Sequence, residues 1–99
     1  MLQWKLRFEP PPGDRKSPSD YIEGLDHPKD KAIIYEHLKM LRNLEPKDWS
    51  IKPIKRRNLK IYQLTAGNFR IYLDYADDTI VVFHVYSAKT GAWRTVKPE

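Results

Sequence analysis

The chain has no cysteine, which excludes disulfides and thiolate metal sites and suits a reducing compartment. Glycine is scarce, with 4 in the whole sequence, and none is arranged as a glycine-rich phosphate loop; a nucleophile elbow is missing as well. No apolar run approaches bilayer-spanning length, and the opening MLQWKLRFEP lacks the apolar core of a signal peptide. A soluble, cytoplasmic protein with no membrane partner is expected. The histidines His27, His37 and His84 lie far apart, without metal-ligand spacing. No residue pattern calls for a metal or a small-molecule cofactor.

What the sequence does have is local positive charge and closely patterned apolar residues. Its 99 residues suit one domain, 1–99, with a single core. Ordering them costs roughly 1.5 kcal/mol per residue, so nearly every apolar face must be buried. The formal charge is +5 and the pI about 9.5, and position is more informative than the total. Lys52, Lys55, Arg56, Arg57 and Lys60 crowd into IKPIKRRNLK with no acid among them, whereas SPSDYIEGLDHPKDK is mixed in sign. A local basic surface of this kind suits the phosphates of a polyanion.

The alternation of Leu2, Trp4, Leu6 and Phe8 reads as a strand with one buried face, ended by the prolines of EPPPGDRKSP. Ser17 can cap a short helix that Pro18 opens and that runs to about Leu25. Pro28 opens a second, over 28–44, with Asp26 or His27 as cap. Ile34, Leu38 and Leu41 line its core face, with Ile33, Met40 and Leu44 beside them. The short connection predicts a helical hairpin. From here the period changes to two. LKIYQLTA, NFRIYLDY and TIVVFHVYS read as strands turning at Gly67-Asn68 and at Ala76-Asp77-Asp78. Phe69, Ile71 and Leu73 take one face of the middle strand, and Arg70, Tyr72 and Asp74 the other. In the last strand Ile80 and Val82 fall on one side, Val81, Phe83 and Val85 on the other. The expectation is an α+β fold: a strand, a two-helix hairpin, then a three-stranded antiparallel meander completing one sheet, with helices on one face and Arg70 on the other, partly open face.

A charged residue early in a well-formed strand needs a reason. One reaction needs none of the missing signatures: cleavage of RNA by its own 2′-hydroxyl. There the protein supplies in-line positioning, cations for the charge that grows on the phosphate, and proton transfer. Arginine suits the phosphate because its planar fork bonds two oxygens at once. Arg70, Lys89 and Arg94 are the candidate catalytic cations. Lys52, Lys55, Arg56, Arg57 and Lys60 are candidate RNA- or ribosome-binding residues, with Tyr86 or Trp93 stacking on a base. The purely structural alternatives are an Arg70–Asp74 ion pair, Lys89 and Arg94 as solvated tail charges, and Trp93 folded back as core.

The order SPSDYIEGL, a helix, IKPIK, then IYQLTAGNFRIYLDYADDTIVVFHVYSAKT resembles the RelE/ParE toxin superfamily, and within it the HigB-like, phage-related branch. The likeness covers roughly residues 2 to 91, and its most specific parts are Gly67 to Arg70 and the strand ending at Lys89-Thr90. The resemblance implies a RelE-like, microbial RNase-type fold and the toxin of a type II toxin–antitoxin pair, a ribosome-dependent mRNA endonuclease (mRNA interferase) that inhibits translation. It places Arg70 at the scissile phosphate and Lys89 at the basic position after the last strand. It further implies a cognate antitoxin, DNA-binding or acidic, and mRNA on the ribosome as partners. Gln63 and Thr65 stand where RelE has lysines, and Thr90 where a second basic residue is usual. The alternatives are a ParE-like, non-catalytic inhibitor of DNA gyrase, or an inactive RNA-binding relative.

Overall fold

The computed structural model describes residues 3–10, 17–56 and 59–89, without the side chains of residues 56, 59 and 60. The element order is β1 (Lys5–Phe8), α1 (Pro18–Glu23), α2 (Pro28–Arg42), a 3-10 turn (Pro46–Asp48), then β2 (Ile51–Arg56), β3 (Leu59–Ala66), β4 (Phe69–Ala76) and β5 (Thr79–Ser87). The five strands form one sheet in the order β1-β5-β4-β3-β2. β1 runs parallel to β5, and all other neighbours are antiparallel. The α+β architecture is the expected one, with one strand more: the meander after the helices has four strands, because Ile51–Arg56 pairs along β3. Pro53 cannot donate to a ladder, yet β2 lies at the edge of the sheet, where a missing donor is tolerated.

Both helices start as their sequences dictate. Ser17 Oγ accepts from the Ser19 amide at 3.3 Å, and Pro18 occupies the first turn. His27 holds the cap position of α2 without a side-chain bond, and Pro28 follows. Ile34, Leu38 and Leu41 of α2 are buried in one cluster with Phe69, Ile71 and Leu73 of β4. Met40, expected beside that stripe, is 54% exposed; the turn of the helix carries it to the outer side. At the end of α2 the indoles of Trp4 and Trp49 donate to carbonyls of its last turn and of the residues just past it. Trp49 Nε1 donates to Leu41 O and Leu44 O at 2.9 and 3.1 Å, and Trp4 Nε1 to Leu44 O at 3.1 Å. The two indoles pack edge to face with Tyr75.

The β3–β4 turn needs its glycine, since Gly67 has φ of 62°, in the left-handed region. Asp77 adopts φ of 57° in the β4–β5 turn, which aspartate tolerates better than most residues. β5 departs from simple alternation. Tyr72 pairs with His84 and Leu73 with Val82, so Phe83 is an extra residue, a β-bulge. The bulge transfers Val85 to the helix-bearing face, where it is buried with Ile80 and Val82, instead of the opposite face that strict alternation predicts. No helix among the described residues is long and apolar enough to cross a membrane.

Candidate functional site

The helix-free face is assembled by register. Thr65, Arg70 and Tyr86 stand side by side on β3, β4 and β5, and the next row is Lys52, Gln63, Tyr72 and His84 on β2 to β5. β4 is the central strand of the five, so Arg70 is carried by a backbone hydrogen-bonded on both sides. Its Nη1 donates to the carbonyls of Gly67 and Phe69, each at 3.1 Å. No other hydrogen bond engages the guanidinium among the described residues, which leaves most of the fork available for an anion.

Arg70 and Asp74 form no ion pair. Four residues apart on an extended strand, they are separated by about 13 Å at roughly 3.3 Å per residue. Asp74 Oδ1 instead accepts from the Tyr75 amide at 2.7 Å, and Arg70 is absent from the ion pairs among the described residues.

Beside Arg70 lies a group of rings. Tyr86 and His84, two apart on β5, point to the same face as neighbours of that spacing do. Their rings stack with centroids 5.7 Å apart and 25° between planes. Tyr72 meets Tyr86 edge to face at 5.5 Å and His84 at 5.8 Å, and its hydroxyl is 3.5 Å from that of Tyr86. Tyr72 and Ile61 are buried here in a small second cluster, packed by Ile54, Phe83 and Tyr86. On this face the half-buried rings of His84 and Tyr86 pack against the fully buried Tyr72, with Arg70 in the neighbouring row. Sequence patterning marks Arg70 and Tyr86. It does not mark Tyr72 and His84 as site residues, although the i, i+2 spacing of His84 and Tyr86 was the signal available.

Lys89 is exposed just past β5. The Ala88 amide donates to Asn68 O at 2.7 Å, which ties the end of β5 to the β3–β4 turn at Arg70's end of the sheet. The structure thus brings Arg70, Tyr86 and the backbone of Lys89 to one end. The basic run is split by its strand: Lys52 lies in the row of Gln63 and Tyr72, while Lys55 alternates to the other face and has Lys60 as register partner. Arg57, Thr90, Trp93 and Arg94, together with the side chains of Arg56 and Lys60, lie outside the described residues. Among the described residues no group of three or more histidines, aspartates or glutamates is placed to hold a metal ion. In comparisons with known proteins, no family model and no curated protein matches the chain.

Proposed function

We propose that the chain is the toxin of a toxin–antitoxin pair and cleaves mRNA on the ribosome through the RNA's own 2′-hydroxyl. The observation that carries this reading is Arg70, fixed on the central strand with most of its guanidinium unengaged and Tyr86 as its cross-strand neighbour. In the reaction the 2′-oxygen loses its proton and attacks the adjacent phosphorus. The bond to the 5′-oxygen breaks, that oxygen takes up a proton, and a 2′,3′-cyclic phosphate remains. Arg70 neutralises the charge that grows on the non-bridging oxygens. Tyr86, its register partner, and His84, two residues earlier on β5, are assigned to proton transfer, and their rings, backed by the buried Tyr72, suit an unstacked base. Lys52 and Lys55 contribute phosphate contacts that hold the complex without acting in the chemical step.

The test adds the purified chain to ribosomes translating a defined message and maps the ends of the product. Cuts that require the ribosome and leave a cyclic phosphate are expected. An intact message, together with loss of gyrase-driven DNA supercoiling on adding the chain, would replace this reading with the non-catalytic one.

A further inference from the structure

Gln63 sits on β3 between Lys52 and Tyr72, with Arg70 diagonally across the β3–β4 ladder. Its side chain is half-buried and carries two donors and an acceptor, yet it makes no hydrogen bond among the described residues. Its donors and acceptor therefore remain open to water or to a ligand. Among its neighbours on that face Ile61 and Tyr72 are buried, while Lys52 and Thr65 are exposed. A diagonal pair across an antiparallel ladder is separated by about 7–8 Å, a reach comparable with that from a nucleotide's phosphate to the edge of its base.

We infer that Gln63 reads one base of the bound RNA, next to the phosphate held by Arg70. This inference rests on the RNA-cleaving reading of the face. A carboxamide presents an acceptor beside a donor, the complement of the adenine edge formed by the N6 amino group and N7, whereas guanine offers two acceptors along the same edge. Unpaired RNA exposes these edges once a base is splayed from the stack. The half-buried rings of His84 and Tyr86, backed by the fully buried Tyr72, support the plane of such a base, and Gln63 selects it.

The experiment measures equilibrium binding of the full chain to short oligouridylates carrying one central adenine, cytosine or guanine. Wild type is expected to prefer the adenine RNA over all-uridine RNA on the order of tenfold, within the range of one bidentate base contact. Gln63→Leu should abolish that preference while keeping its affinity for all-uridine RNA and its thermal midpoint. Gln63→Glu, left with acceptors alone, should move the preference toward cytosine, whose N4 amino group donates. Equal binding of all four RNAs by wild type, or an adenine preference that survives in Gln63→Leu, overturns the inference and leaves the RNA-binding reading standing. Failure of wild type to bind any of the four at low salt overturns the inference as well, while the cleavage reading stands or falls by the ribosome assay above.

Discussion

A strand arginine with a largely unengaged guanidinium is held in place by its own backbone. Two carbonyls of the adjoining turn and strand take one nitrogen of Arg70, which orders the side chain and leaves the other nitrogens without a hydrogen bond among the described residues. Lysine at this position would retain charge and lose the planar bidentate geometry. The acidic β4–β5 turn behaves differently, since its charge is internally partnered. The Thr79 hydroxyl, and after it the Lys5 ammonium, holds the Asp78 carboxyl below its ordinary value. A carboxylate with a folded pKa below its unfolded one contributes stability above the unfolded value and loses it as pH falls through the folded value. Asp78→Asn is therefore expected to be slightly less stable than wild type near neutrality, with the gap closing as pH falls through the carboxylate range. Denaturation curves at several pH values measure this, and a gap that widens in acid contradicts it.

At the level of elements, α2 and the meander were legible because their burial follows simple periods. Ile34, Leu38 and Leu41 repeat at helical spacing and meet Phe69, Ile71 and Leu73, which repeat at two, in one buried cluster. Leu38→Ala should cost about 2–5 kcal/mol of stability in urea titration; a loss under about 0.5 kcal/mol, the scale of an ordinary surface substitution, contradicts that packing. β2 was not legible. Pro53 and the density of lysine disguise a strand that only an edge position permits. The bulge at Phe83 was equally hidden, because a run that is apolar on both sides does not show where its alternation slips. The spacing of His84 and Tyr86 was readable, but their convergence with Tyr72 depends on that bulge and on the β4–β5 register, which the sequence does not display.

Lys55 is exposed on the edge strand β2. Lys55→Glu is expected to weaken ribosome binding and to flatten its dependence on salt. A variant that binds ribosomes as wild type does removes β2 from the phosphate-binding surface.

Taken as a whole, the described residues form one sheet. α1, α2 and the Trp4, Trp49 and Tyr75 cluster pack on one face, and Arg70 stands on the other. With a formal charge of +5, the proposed RNA-cleaving function calls for an acidic cover of this face in the cell that makes the protein. Association with such an antitoxin segment over Lys52, Arg70 and Lys89 should be fast at low salt and slow as salt is raised, since charge steering is screened over about 10 Å at 0.1 M. Stopped-flow association across a salt series reads this directly; salt-independent rates place the contact on apolar surface elsewhere. The central claim is that Arg70 stabilises charge on a scissile phosphate, and its most direct test is single-turnover cleavage of mRNA by Arg70→Ala at saturating ribosomes. The account predicts a rate lowered by roughly a hundredfold or more, the scale of one lost transition-state donor, with the unfolding midpoint little changed. Cleavage at the wild-type rate by a variant of reduced stability would contradict it.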